Sequence, residues 1–66
     1  MKITLNGTER DVEAGTSVAA LLAELGLSVE AVAVERNLEL VPRARLALVE
    51  LEPGDRVEIV TLVGGG

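Results

Sequence analysis

The chain has 66 residues, 48% of them hydrophobic, and a formal net charge of −5 from six Lys and Arg against eleven Asp and Glu. It contains no Cys, His, Phe, Tyr or Trp, which excludes disulfides, thiolate metal sites, cysteine nucleophiles, imidazole bases and aromatic stacking platforms for bases. An acidic surface repels phosphate backbones, so no nucleic acid is expected as partner, and a protein with a basic docking face fits better.

Ile3 and Leu5 alternate with Lys2 and Thr4, a period of two that predicts a half-buried strand. Asn6-Gly7 follows, the strongest short hairpin signal, because both residues tolerate the positive φ of a type I′ turn. The returning strand runs from Thr8 to Val12 or Glu13 and is mostly polar, as an edge strand should be.

Ala14-Gly15 breaks that strand, and Thr16 or Ser17 supplies an oxygen to cap a helix. Val18, Leu21, Leu22 and Leu25 fall at i, i+3, i+4 and i+7, one apolar stripe of an amphipathic helix. Gly26 stands where a left-handed C-terminal cap is wanted, and Leu27 beyond it can fold back on the last turn.

"VAVER", Val32 to Arg36, reads as a third strand, Asn37 as a turn, and Glu39 to Val41 as a short return stopped by Pro42. Ala44 to Leu51 is ambiguous between a short helix and an irregular covering segment. Pro53-Gly54-Asp55 is a turn by composition, and Arg56 to Val63 is the last strand. The chain therefore predicts one domain over residues 1–66, of class α+β and order β-β-α-β-(β)-β, with one helix packed on a small mixed sheet. The first and last strands are the most hydrophobic and so are candidates for the sheet centre.

Side chains alternate across a strand, which places Val57, Ile59 and Thr61 on one face and Glu58, Val60 and Leu62 on the other. With Val57 and Ile59 in the core, Val60 and Leu62 point outward and, with Val63, form a candidate partner-binding patch. The alternatives are isolated surface residues, or a bulge that reverses the alternation. Gly64, Gly65 and Gly66 follow. Glycine alone lets a backbone pass a narrow channel, and residues 63–66 are expected to be a flexible tail. Extended, Leu62 to Gly66 reaches on the order of 17 Å, enough to enter an active site from a docked domain. The working group is then the Gly66 carboxylate.

Nothing else in the chain is equipped for chemistry. Ser17 and the threonines have no imidazole to activate them, and the carboxylates are scattered singly. An enzyme is not expected, nor a metal site. No run approaches the eighteen or so apolar residues of a membrane span and no signal-peptide pattern opens the chain, so the expected location is the cytoplasm.

"KITLNG", "GTSVAALLAELGL", "VAVERN", "VPR" and "PGDRVEIVTLVGGG" together resemble the ubiquitin-like β-grasp sulfur carriers of the MoaD/ThiS superfamily, most closely the ThiS-type carriers of thiamine biosynthesis. The motifs occur in the family's order and spacing over nearly the whole chain. The resemblance implies a β-grasp fold and a co-substrate role. An E1-like adenylating enzyme of the ThiF type would use ATP and magnesium to adenylate Gly66, this chain binding no cofactor itself. Sulfur from a cysteine desulfurase would then give a Gly66 thiocarboxylate for a thiazole synthase of the ThiG type, with Gly64 and Gly65 threading the tail.

Two residues depart from the family pattern. Leu38 stands where a turn glycine is frequent, and Leu46 where an aromatic residue is common. The rival readings are sulfur carriers for molybdopterin synthesis or tRNA thiolation, including ones also conjugated to lysines, and, in a different class, a non-catalytic β-grasp protein-binding module.

Overall fold

A computed structural model describes residues 1–62. Asn6 and Gly7 take φ values of 48° and 84°, the left-handed pair a type I′ turn demands, and join β1 (Lys2–Leu5) to an antiparallel β2 (Thr8–Asp11). β2 ends short of the expected Val12 or Glu13. Val12 nevertheless stays tied to the sheet. Its N–H donates to the Met1 carbonyl at 2.8 Å, its own carbonyl accepts from the N-terminal ammonium at 2.7 Å, and its side chain is buried.

The helix α1 (Val18–Glu24) is capped by Ser17 rather than Thr16: the Ala20 N–H donates to Ser17 Oγ at 3.0 Å. At its other end, the Gly26 N–H donates to Ala23 O and the Leu27 N–H to Leu22 O, with Gly26 at φ 72°. That is the Schellman arrangement, and it satisfies two carbonyls the helix would otherwise leave orphaned. Val18, Leu21 and Leu22 are fully buried, while Leu25, at the C-cap, is partly covered. Truncating Leu21 or Leu22 to alanine would remove contacts of the kind that cost about 2–5 kcal/mol.

A 3₁₀ turn over Val29–Ala31, capped by Ser28, leads into β3 (Val32–Arg36). β3 turns through Asn37 and Leu38 into β4, which covers Glu39–Leu40 and stops one residue before the expected Val41. β5 (Arg56–Thr61) completes a five-stranded sheet of order β2-β1-β5-β3-β4. It runs parallel to β1 through Thr4↔Arg56 and Leu5↔Val57, and antiparallel to β3 from Val32↔Thr61 to Arg36↔Val57. The first and last strands are neighbours inside the sheet, as their hydrophobicity predicts. Ile3, Val32, Val34 and Val57 meet Val18, Leu21 and Leu22 in the core.

The segment between β4 and β5 is not a helix. After a 3₁₀ turn over Arg43–Arg45 it becomes an irregular strap that buries Leu46 and Leu51. What holds it is the start of α1: the Val18 N–H donates to Val49 O and the Ala19 N–H to Leu46 O, each at 2.9 Å, while the Leu51 N–H donates to Thr16 O at 2.9 Å. The strap thus supplies the acceptors that the first turn of a helix lacks internally.

The Asn37-Leu38 turn carries strain. Leu38 sits at φ 71° and is 72% exposed. A Cβ in the left-handed region costs roughly 1–2 kcal/mol, and so exposed a side chain recovers little by burial. Leu38→Gly is therefore expected to stabilise the fold by about 1 kcal/mol, a rise in Tm of roughly 4–8 °C in a thermal melt. An unchanged or lower Tm would show that the leucine side chain contributes more than its exposure suggests.

Candidate functional site

β5 delivers the chain to its last described residue, and three polar side chains pin that strand. Asn6, already needed for its left-handed turn, receives the Ile59 N–H on Oδ1 at 2.8 Å and donates Nδ2 to the Ile59 carbonyl at 3.3 Å. Its amide thereby replaces the strand partner that β1 ceases to provide once the chain turns away at Asn6. Asn37 does the same from the other side: its Oδ1 accepts from the Arg56 N–H at 2.9 Å, and its Nδ2 donates to Asp55 Oδ1 at 3.0 Å.

Asp55 is the third. Its side chain is only 7% exposed, and it accepts from Arg36 Nε at 2.7 Å, from the Glu52 N–H at 2.8 Å and from Asn37. Arg36, 25% exposed, also pairs with Glu52 at 3.0 Å. Burial alone pushes the Asp55 carboxyl up, but the Glu52 N–H, the Asn37 amide and the Arg36 guanidinium outweigh it and hold its pKa below the ordinary carboxylate value. The Asp55 hydrogen bond in turn raises the Arg36 pKa. Sequence reasoning assigned Asp55 to a turn and missed this knot. Its signal was an Asp at the end of a Pro-Gly turn and an Arg at the end of a strand, positions that only the fold brings together.

The alternation expected along β5 holds without a bulge. Val57 is buried and Ile59 partly so, while Val60 is 60% and Leu62 47% exposed. The two outward residues differ in setting. Val60 lies directly opposite Ala33 on the face of the sheet away from α1. Leu62, whose N–H donates to Ala31 O at 2.7 Å, lines a shallow groove of about 230 Å³ with Ala33, Leu40, Val41, Pro42 and Arg43 and with the buried core residues Val32, Val34 and Leu46. Val63, Gly64, Gly65 and Gly66 lie outside the described residues. Among the described residues no cluster of three or more acidic side chains could hold a metal ion, and no helix is long and apolar enough to cross a membrane.

A five-stranded mixed sheet grasping one helix, with parallel terminal strands side by side at its centre, is the ubiquitin-like β-grasp fold. Within that class the chain belongs to the ThiS family, whose model matches residues 3–66. The crystal structure of the thiamine biosynthesis protein ThiS from Geobacter metallireducens is 33% identical and superposes with a TM-score of 0.85, covering the whole of both chains. The NMR structure of a thiamine biosynthesis protein from that organism gives 0.81, covering all of this chain and 88% of the other. Among sequences, a thiazole synthase of Paramagnetospirillum magneticum is 52% identical over 66 residues, and one of Magnetococcus marinus 47%. Both matches take in all of this chain but 20% of the relative, so the chain spans about a fifth of the length of the curated relatives it matches.

Proposed function

We propose that the chain is a sulfur carrier of thiamine (thiazole) biosynthesis, acting as a co-substrate and not as an enzyme. The observation that supports this most is that the family match, over residues 3–66, takes in Gly64, Gly65 and Gly66. A carboxylate is a poor acyl donor, because its charge is delocalised and its leaving group would be oxide. An E1-like, ThiF-type enzyme activates the Gly66 carboxylate with ATP and magnesium, releasing pyrophosphate and leaving an acyl-adenylate. A persulfide sulfur derived from a cysteine desulfurase attacks that carbonyl and expels AMP, and a thiol cleaves the sulfur–sulfur bond to leave the thiocarboxylate. A thiazole synthase, the activity named for the sequence relatives, is the acceptor. The chemistry takes place in the cytoplasm, where ATP is supplied.

The carrier presents the carboxylate and the enzymes do the rest. Ordering three glycines in an active site costs roughly 1–2 kcal/mol each, so a contact on the folded body has to offset it. Val60 and Leu62, exposed at the root of the tail, supply that contact. Val60→Asp is expected to weaken binding to the adenylating enzyme at least about tenfold, because it places a charge in an apolar contact. The same change should alter folding stability by less than about 1 kcal/mol. Calorimetric titration against the enzyme, with a thermal melt beside it, separates the two effects.

Intact mass spectrometry tests the whole reading. After incubation with the adenylating enzyme, ATP and a sulfur donor, one oxygen should be replaced by sulfur, located on the peptide that ends at Gly66. A chain recovered unchanged, under conditions where the enzyme consumes ATP, would overturn it.

A further inference from the structure

We propose that Asn6 is a site of spontaneous deamidation, and that its conversion unpins the outer end of β5. The chain carries two side-chain amides, Asn6 and Asn37, and no glutamine. Both stand in left-handed turns and both hold the backbone of β5. Their neighbours differ, since glycine follows Asn6 and leucine follows Asn37. In deamidation the backbone nitrogen of the next residue attacks the side-chain carbonyl carbon, and a residue without Cβ leaves that approach open. Around Gly7 it is open. A Cβ built there would meet nothing within 4 Å, and the Gly7 N–H makes no hydrogen bond among the described residues. Asn6 itself is exposed to the water and base that the reaction needs.

The reaction balances with water alone. The Gly7 nitrogen loses its proton to solvent base and bonds to Asn6 Cγ. The Cγ–Nδ2 bond breaks, and ammonia leaves with a solvent proton. Water then opens the five-membered succinimide at one of its two carbonyls. Opening at the side-chain carbonyl gives aspartate, and opening at the backbone carbonyl gives isoaspartate. Either product adds one negative charge to the net −5 of the chain.

What either product lacks is the pin. Asn6 donates Nδ2 to the Ile59 carbonyl at 3.3 Å and accepts the Ile59 N–H on Oδ1 at 2.8 Å. A carboxylate only accepts, so it loses the first bond and sets a negative oxygen against the Ile59 carbonyl. Isoaspartate also puts an extra methylene into the backbone, which the two-residue turn between Leu5 and Thr8 has no room to absorb. Ile59 stands just before the end of β5 at Thr61, so the loosening falls on the stretch that leads to the tail. The same two bonds restrain the amide in the folded chain, so conversion proceeds through local opening of the hairpin end. The effect on sulfur loading, and that alone, rests on the carrier reading above.

The test ages the wild-type chain in mildly alkaline buffer, well below its Tm, beside the free peptide of residues 3–10. Ion exchange resolves the added charge. Tryptic mapping places it, because Lys2 and Arg10 bracket Asn6 while Arg36 and Arg43 bracket Asn37. Asn6 should convert at least about tenfold faster than Asn37, and more slowly than the free peptide. In the separated product the Ile59 and Leu62 amides should exchange hydrogen at least about fivefold faster, with those of Leu21 and Leu22 unchanged. Asn6→Asp, which encodes one of the two products, should melt about 3–8 °C below wild type. Sulfur loading of the product should be at least about threefold slower. An Asn6 that stays intact while the free peptide converts completely overturns the inference, as does Asn37 converting at the same rate. Unchanged exchange at Ile59 and Leu62 overturns the unpinning, and equal loading rates overturn the link from Asn6 to the tail. A wild-type chain that takes up no sulfur overturns the carrier reading and leaves the deamidation site standing.

Discussion

Removing Gly65 and Gly66 is expected to abolish adenylation and sulfur loading while leaving the domain folded. The hydrogen bonds described for β5 end with that from Leu62 to Ala31, and the core residues lie at or before Val57. The truncated chain should therefore melt within about 1–2 °C of wild type, as surface changes remote from packing do. Its new terminal carboxylate, on Gly64, would fall about 7 Å short of the original position in an extended tail. Misplacement by even 1 Å can cost on the order of 10²-fold in a positioned reaction, so no acyl-adenylate or thiocarboxylate should be detected by mass. Continued loading of the truncated protein would remove the carrier reading. Retained enzyme binding without loading would show that the sheet face docks independently of the tail.

The largest expected effect on stability is that of Asp55→Ala. Three donors lose their acceptor in that variant: Arg36 Nε, the Asn37 amide and the Glu52 N–H. Breaking a largely buried pair in this way costs about 3 kcal/mol or more, against a total of roughly 3–10 kcal/mol for a domain this small. Arg36 is a quarter exposed and keeps Glu52, which holds the loss to the lower end of the buried-pair range. A fall in Tm on the order of 15 °C follows, with the Asn37 turn and the start of β5 loosened together.

The same carboxylate predicts a pH dependence. Its folded pKa lies below the unfolded value of about 3.9. Its contribution is therefore fully present above that value and is lost as pH falls through the folded pKa. Wild-type Tm should drop on acidification below about pH 4, and Asp55→Asn, which carries no charge to lose, should show a flatter fall over the same interval. Equal slopes for the two proteins would mean that other carboxylates account for the acid sensitivity.

Elements whose residues carry their own local signals were legible without coordinates. Asn6-Gly7 can hardly do anything but turn a hairpin. The Val18, Leu21, Leu22 stripe between Ser17 and Gly26 defines α1 to within a residue, because cap, periodicity and stop agree there. The outward setting of Val60 and Leu62 followed from strand alternation alone, once the helix was known to cover one face.

Ala44 to Leu51 was not legible, for a definite reason. The segment has no period of its own, and its shape is set by the N–H groups of Val18 and Ala19, some thirty residues earlier in the chain. The same holds for the knot at Asp55 and for the second roles of Asn6 and Asn37, which exist only because β1 and β3 flank β5. Local rules, acting through caps, turns and alternation, let the sequence by itself determine the elements and the surface they leave exposed. Tertiary structure alone decided which side chains face each other across strands, because pairing partners are chosen by the packing of the whole sheet.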